Sequence, residues 1–167
     1  MADLDGDGLP DHVMRIPGAG TYWKRNISGR YGLLTGIGLP QGGNVWIEYA
    51  GKYGTTDNPN FKYVMSKVIM SDGCGEALPE LSHGEHSIAT AFEYDGGYYD
   101  RRRKDFYGFQ TVRTTSADGT YQVDEYNNCE YYAKGSIRQN CMYTADGELL
   151  SKAETTLCDF PVALPSK

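Results

Sequence analysis

Residues 3–11 read DLDGDGLPD, in which aspartates recur at alternate positions around two glycines. Calcium takes six to eight oxygen ligands, so the backbone must curl tightly to direct several carboxylates at one point. Gly6 and Gly8 permit such a curl because glycine tolerates positive φ. The predicted ligands are four carboxylates and one backbone carbonyl, from Asp3, Asp5, Asp7, Leu9 and Asp11. The pattern therefore predicts a Ca²⁺ site.

An EF-hand is the first form of calcium loop to test. Its loop ends in a bidentate Glu at the twelfth position, and helices flank it. Counted from Asp3, the twelfth residue is Met14, and residues 12–16, HVMRI, favour a strand over a helix. We therefore expect a calcium loop between β-strands. The alternative is an Asp/Gly-rich surface turn that binds no metal.

A second group with metal-binding residue types lies at 80–86. His83 and His86 form a His-x-x-His pair with Glu80 and Glu85 beside it. Zinc needs three or four ligands, and this stretch is predicted to be a Gly/Pro-containing loop, not a helix with a catalytic Glu. A solvated loop is the favoured interpretation.

Two further features could bind ligands. RRRK at 101–104 is the only basic cluster, and it could hold phosphate or heparin, but its position before the FYGF strand favours a solvated hairpin end. Tyrosines could form a sugar-binding face, although in β-proteins they more often pack their rings across strands. They are Tyr94, Tyr98, Tyr99, Tyr107, Tyr126, Tyr131, Tyr132 and Tyr143.

Catalysis has little support in the residue pattern. The sequence has no GxSxG nucleophile elbow and no GxxxxGKS/T phosphate loop, so we do not expect an enzyme.

The cysteines are Cys74, Cys129, Cys141 and Cys158. They lack CxxC spacing, which argues against structural zinc, whereas a Cys129–Cys141 disulfide stays open because sequence alone does not fix pairing.

The composition defines the elements that must position these residues. The 167 residues include 14 Tyr and 21 Gly but only 3 His, which favours pleated surfaces joined by many turns. The formal net charge of −6 argues against general affinity for nucleic acid or anionic membrane. No apolar run approaches the roughly 20 residues that span a bilayer, so no transmembrane segment is expected.

Short apolar and aromatic runs between turn signals predict ten strands. They lie at 12–16, 21–26, 31–37, 44–50, 62–71, 87–94, 106–115, 120–127, 136–144 and 148–157. One short helix is predicted at 129–134, with Gly135 as its cap. The fold class is thus all-β, built from consecutive antiparallel hairpins with one short helix and the N-terminal calcium loop.

Asp-Gly pairs predict the turns between these strands. They stand at 72–73, 95–96, 118–119 and 146–147, and each is a favoured two-residue hairpin connection. Gly96 and Gly97 are predicted to make a tight reversal that needs positive φ. SADGTYQVDEYNN and TADGELLSKAETT lie 28 residues apart, which indicates a degenerate repeat in the C-terminal third.

Several of these strings have a family likeness. GLLTGIGLPQGGNVWIEYA, VMSKVIMSDG, FEYDGGYYDRRRKDFYGFQTV and DGTYQVDEYNN together resemble the middle region of SpvB-type and insecticidal toxin complex B-type proteins. DLDGDGLPDHV is similar to an FG-GAP (VCBS) calcium repeat of a β-propeller, and ADGELLSKAET is similar to the start of Rhs/YD repeats. The short polar segment 51–61 and the four cysteines depart from the family pattern.

The resemblance implies three parts. Residues 1–17 would end an FG-GAP/VCBS calcium repeat, 18–115 would form a toxin-complex-B-like middle β domain, and 116–167 would begin Rhs/YD-like hairpin repeats in a shell-like sheet. The implied role is a non-catalytic structural module of a large secreted or bacterial surface protein. It would link a propeller to a β-shell that encloses a C-terminal toxin.

The implied partners are the rest of the same polypeptide and a toxin-complex partner subunit. SpvB-type proteins carry ADP-ribosyltransferase activity in a separate domain, which nothing here resembles. The alternative function is a calcium-dependent extracellular module that binds a ligand or glycan through its tyrosines.

Overall fold

The structure, a computed structural model, describes residues 3–28, 32–52, 54–73 and 86–157. Within these ranges it contains ten β-strands and no helix. They are β1 (His12–Ile16), β2 (Gly20–Lys24), β3 (Gly36–Gly38), β4 (Asn44–Lys52), β5 (Lys62–Ser71), β6 (Ser87–Asp100), β7 (Asp105–Thr115), β8 (Tyr121–Tyr126), β9 (Ile137–Tyr143) and β10 (Leu149–Glu154). The prediction of an all-β chain is confirmed.

The strands form two antiparallel sheets. β1 and β2 make a two-stranded hairpin, and the other eight strands make one sheet in the order β10-β9-β8-β7-β6-β5-β4-β3. Each strand of the large sheet pairs only with its neighbours in sequence. This meander confirms the prediction of consecutive hairpins. β3 is shorter than the predicted strand 31–37, since it begins at Gly36.

Two hairpins of the large sheet close with the same turn. Between β7 and β8, the Ser116 N–H donates to the Thr120 carbonyl at 2.9 Å and the Gly119 N–H donates to the Ser116 carbonyl at 3.0 Å. The same two bonds, of 2.9 and 3.1 Å, recur at 144–148. Each connection therefore has three residues, not the predicted two, because a glycine at positive φ follows the turn. The degenerate repeat corresponds to this recurring hairpin.

The predicted reversal at Gly96 and Gly97 is wrong. Both glycines lie inside β6, and the chain reverses instead at 101–104, where Asp100 pairs with Asp105. Gly96 does have a positive φ of 65°, but within a continuous strand. A Cβ atom added there would lie 2.9 Å from the Cβ of Gln110 on β7. The glycine thus permits a local distortion of the β6–β7 pair.

The Asp-Gly pair at 72–73 is not a two-residue hairpin connection either. β5 ends at Ser71 and β6 begins at Ser87, and these two residues pair across the strands. The connection between them spans 72–86, of which 74–85 lie outside the described residues. The prediction of a tight turn was wrong because an Asp-Gly pair also suits the start of a longer loop.

The predicted helix at 129–134 is also wrong, because these residues form turns. The Asn128 side chain holds them. Its Nδ2 donates to the Phe109 carbonyl at 2.6 Å, and its Oδ1 accepts from the Gly135 N–H at 2.7 Å. The first bond ties the segment to β7, and the second joins its two ends into a closed loop. An Asn side chain that bonds nearby backbone groups competes with the helical hydrogen-bond pattern in this way.

One face of the large sheet, which we call its apolar face, carries more apolar side chains than the other. The strand registers place Val45, Ile47, Val68, Phe92 and Val112 on one face, where each is half-buried. They place Glu48, Lys67, Glu93, Arg113 and Glu125 on the other. Only three apolar residues, Tyr107, Ala133 and Cys141, are buried within the described residues. The sheet is therefore a single layer without a second layer of described elements over its apolar face.

The accessible surface of the whole chain is large for its mass. It is 12584 Å², about one and a half times the roughly 8,200 Å² expected for a folded monomer of this mass. A two-layer domain buries the apolar face of a sheet against helices or another sheet.

No helix among the described residues has the length and apolar character needed to cross a bilayer.

Candidate metal centre

The aspartate loop, residues 3–11, runs directly into β1, and the β1–β2 hairpin returns the chain to it. The hairpin turns at Pro17 and Gly18, where the Ala19 N–H donates to the Ile16 carbonyl at 3.1 Å. Proline fixes the first central φ of such a turn and glycine supplies the positive φ of the second, here 81°. The residues that follow β2 therefore lie beside the loop.

Carboxylates shape the loop by accepting hydrogen bonds from its own backbone. Asp3 accepts from the N–H groups of Gly6 and Gly8, at 2.7 and 2.9 Å. Asp5 accepts from the Asp7 N–H at 3.3 Å, and Asp7 accepts from the Leu9 N–H at 2.9 Å. Aspartate commonly bonds the backbone two or three residues on, which nucleates a turn. The alternate spacing of the aspartates thus folds the loop.

Asp11 is the buried anchor of the loop. It is fully buried, and its two carboxylate oxygens accept from the backbone N–H groups of Asn26 and Leu4, each at 2.9 Å. These bonds, that of Asn26 first, lower the pKa of Asp11 below its usual value because they favour the charged form. The Asn26 side chain also donates to the Pro10 carbonyl at 3.1 Å. Asp11 therefore ties the loop to the strand that returns from the hairpin.

Three of the predicted ligands converge. Asp3, Asp5 and Asp11 each offer a carboxylate oxygen, and these atoms lie within 4.8 Å of one another. Three carboxylates in one place are a suitable partial ligand set for a hard cation. Calcium binding stays a prediction, as does the Leu9 carbonyl as a ligand, since the structure shows only that the Leu9 N–H donates to Asp7.

Arg25 is the functional neighbour that sequence reasoning missed. Its Nε lies 2.7 Å from an Asp5 oxygen, and a terminal nitrogen lies 3.3 Å from an Asp7 oxygen. The guanidinium thus pairs with one of the three converging carboxylates, that of Asp5, and with Asp7, which is not among the three. The sequence feature that could have indicated this contact is the position of Arg25. It stands one residue after the second strand of the hairpin and 18 positions after Asp7. A calcium ion bound as predicted would have to compete with Arg25 for Asp5 and Asp7.

Phe61 joins the loop to the large sheet. A Cβ added at Gly8 would lie 2.2 Å from the Phe61 ring, and one added at Gly51 of β4 would lie 2.7 Å from it. The ring therefore sits against the bare backbone of two glycines, one in the loop and one in the sheet. It also packs edge-on to Tyr63 of β5, with ring centroids 4.8 Å apart.

The other candidate ligand groups are only partly described by the structure. His86 contacts Asp72, with its Nδ1 3.0 Å from a carboxylate oxygen, whereas His83, Glu80 and Glu85 lie outside the described residues. Cys129 and Cys141 are free thiols, so the disulfide that the sequence left open is not formed. Cys74 and Cys158 lie outside the described residues.

The tyrosines that we considered as a sugar-binding face form separate groups. Tyr94 packs on Phe109 with ring centroids 5.1 Å apart. Tyr98, Tyr107, Tyr131 and Tyr132 form a second chain of ring contacts at one end of the sheet. Tyr143 stacks on Tyr121 at 4.9 Å, and Arg113 lies over Tyr121 at 4.0 Å. The rings mainly pack across strands, as tyrosine commonly does in β-proteins.

Comparison with known proteins gives one family match. The family model described as the insecticide toxin TcdB middle/N-terminal region matches residues 1–140. No curated protein sequence matches the chain significantly. The matched residues include the aspartate loop, the β1–β2 hairpin and the large sheet into β9. The chain therefore belongs to the family of the insecticide toxin TcdB middle/N-terminal region.

Proposed function

We propose that this chain is a non-catalytic structural module of a large secreted or bacterial surface toxin-complex protein. The observation that carries the proposal is the single-layer sheet, whose apolar face has no second layer among the described residues. A sheet of this kind is incomplete as an independent domain, because its apolar side chains stay half-exposed. It suits a segment that other parts of a longer polypeptide cover and extend.

The N-terminal side of the proposal rests on the aspartate loop. We propose that Asp3, Asp5 and Asp11, with Asp7 and the Leu9 carbonyl, hold Ca²⁺ as the end of a propeller repeat spanning residues 1–17. The convergence of three carboxylates supports this assignment. Phe61 would then fix the orientation of the repeat relative to the large sheet, because its ring contacts the loop and β4 together.

The C-terminal side rests on the recurring hairpin. The turns at 116–120 and 144–148 have the same hydrogen bonds and the same glycine position. We propose that this recurrence begins the YD-type hairpin repeats of a shell. β10 ends the described sheet with all six residues exposed, so its free edge is where the next strand would pair. The shell would enclose a toxic cargo, and a toxin-complex partner subunit would bind the assembled protein.

The test compares the present chain with a version extended by several downstream hairpin repeats. We expect the present chain to self-associate in light scattering and to lose its C-terminal hairpin in limited proteolysis, because the β10 edge is open. The extended version should be monomeric and protected. A present chain that is already monomeric and resistant through residue 157 would contradict the proposal.

The glycan- or ligand-binding module remains the competing function. It is favoured only by the exposed tyrosines, of which Tyr132 is 94% exposed. A glycan array in calcium separates the two functions. Selective, saturable binding that calcium chelation abolishes would favour the binding module, whereas the structural module predicts no selective glycan.

A further inference from the structure

One end of the large sheet carries positive charge in a chain whose net charge is −6. The β6–β7 turn consists of Arg101, Arg102, Arg103 and Lys104, and the β8–β9 turn lies beside it. Together their exposed side chains form the basic–aromatic patch, which consists of Arg102, Arg103, Lys104, Tyr131, Tyr132 and Lys134. The sequence interpretation of RRRK as a hairpin end is confirmed. The neighbouring turn adds exposed aromatic rings beside these cations.

The two turns are held together by specific contacts. The Arg103 guanidinium lies over the Tyr131 ring, 3.6 Å from its centroid. Lys134 bridges to Asp105 at 2.6 Å and lies 5.2 Å from the Tyr131 centroid. Stacking on an aromatic face holds an arginine in place while its edge stays available to a carboxylate. Arg103 is therefore positioned before any partner arrives.

The base of the β6–β7 turn is rigid. Asp100 accepts from the N–H groups of Arg102 and Arg103, at 2.8 and 3.3 Å, and from the Tyr107 hydroxyl at 2.7 Å. Burial, together with the bond to Asp100, raises the pKa of Tyr107 to about 12, so its hydroxyl stays a donor at neutral pH. The Arg101 guanidinium donates to the Thr56 carbonyl at 2.8 Å.

Two cations of the patch have no partner among the described residues. The side chains of Arg102 and Lys104 are exposed, and neither takes part in a hydrogen bond or ion pair there. Lys104 adopts a φ of 55°, and it is the one non-glycine residue with positive φ in the described ranges. Strained backbone of this kind persists where the surroundings hold it, often at functional positions.

The aromatic part of the patch is unusually exposed. Tyr131 is 44% exposed and Tyr132 is 94% exposed, with their rings packed edge to face. Tyrosine and arginine are the residue types that dominate binding energy at protein–protein interfaces. The patch therefore combines residue types that are enriched at the centre of protein–protein interfaces: a tyrosine pair, a positioned arginine and two unpaired cations.

We propose that the basic–aromatic patch is a docking surface for an acidic segment of a partner polypeptide. The segment would place carboxylates on Arg102 and Lys104 and an aromatic or apolar side chain on Tyr132. A dense polyanion such as nucleic acid or heparin fits less well, since it needs a broad positive surface. Here Glu130 and Asp105 border the patch, and the rest of the chain is acidic.

The test titrates the full chain with a capped peptide that alternates glutamate and tyrosine, using its lysine–tyrosine counterpart as the peptide control. We expect saturable binding of the acidic peptide alone, weakened by salt because the contacts are exposed. The double variant Arg102→Glu/Lys104→Glu should weaken binding at least about fivefold, as expected for two exposed ion pairs. Tyr132→Ala should also weaken binding.

Arg15→Glu/Lys24→Glu makes the same charge change in the β1–β2 hairpin and should leave affinity unchanged. Lys104→Gly removes one cation and relieves the positive φ, so it separates lost binding from lost stability. An equal loss in the hairpin variant would overturn the proposal in favour of a general charge effect. Preferential binding of a heparin oligosaccharide, or no binding of the acidic peptide, would also overturn it.

Discussion

At the scale of single residues, the aspartate loop would have to offer the proposed cation oxygens that already accept hydrogen bonds or pair with Arg25. Its carboxylates accept backbone hydrogen bonds that shape the loop, and three of them converge as a cation site would require. Arg25 already supplies positive charge to Asp5 and Asp7. Single substitutions should therefore shift the balance between the guanidinium and the proposed metal.

Calcium titration tests this balance. By calorimetry we expect the chain to bind Ca²⁺ with a Kd on the order of 10⁻⁴ to 10⁻³ M, as extracellular calcium modules do. Asp5→Ala should abolish the heat of binding, and Arg25→Gln should tighten binding because it frees two carboxylates. Asp146→Ala, at an exposed turn far along the chain, is the matched control. No calcium heat in either the parent chain or Arg25→Gln would rule out the site.

Acid should release the loop through Asp11. Because the folded pKa of Asp11 is lowered, its stabilisation is complete above the unfolded pKa of about 3.9 and is lost as pH falls through the folded value. The Leu4 and Asn26 amides donate to Asp11, so their hydrogen exchange should accelerate below about pH 4 relative to the exchange of amides elsewhere in the chain. Asp11→Ala should abolish that protection at neutral pH. Protection that the Asp11→Ala substitution leaves unchanged would contradict the role of the carboxylate.

At the scale of elements, the contact between the loop and the sheet depends on the absence of side chains. Gly8 and Gly18 have almost the same φ, 83° and 81°, but only Gly8 faces the Phe61 ring. Nothing lies within 4 Å of a Cβ added at Gly18. The two glycines therefore separate backbone strain from steric conflict.

Gly8→Ala should be more destabilising than Gly18→Ala. Each substitution should lower the free energy of unfolding by about 1 kcal/mol, because alanine is disfavoured in the left-handed region. Gly8→Ala should lower it by about 1–3 kcal/mol more, because the added Cβ overpacks against Phe61. Differential scanning calorimetry and exchange of the loop amides measure the two effects. In a Phe61→Ala background the difference between the variants should shrink, because only the Cβ of residue 61, 3.1 Å from an atom added at Gly8, then remains. Equal effects in the parent chain would show that Phe61 moves aside freely.

Strand positions were predictable from sequence, but the contacts between distant segments were not. β1 and β5 match their predicted ranges, because apolar and β-branched runs bounded by turn residues define them locally. The helix prediction at 129–134 failed because Asn128 bonds Phe109, a residue 19 positions away. Arg25 escaped notice for the same reason, since its contact with Asp7 joins residues 18 positions apart.

At the scale of the whole molecule, the two edges of the large sheet are unequal. β10 presents six exposed residues, whereas β3 has only three. A long, uncovered edge pairs with other strands more readily than a short one. Self-association of the chain should therefore proceed through β10.

A single lysine at that edge tests the inference. Ala153→Lys should reduce association in sedimentation velocity, because a charged side chain in an edge strand opposes pairing with another sheet. Ile37→Lys makes the same kind of change at the β3 edge and should have less effect. Equal suppression by both variants would instead indicate that the apolar face, and not the β10 edge, drives association.

The strand order of the large sheet has a consequence for how the sheet folds. Since each strand pairs only with the strands before and after it in sequence, no pairing has to wait for a distant part of the chain. Such local connectivity favours rapid folding, and a growing chain can add one strand at a time as it emerges during synthesis. The sheet behaves as a linear array in which each hairpin, once formed, is the template for the next.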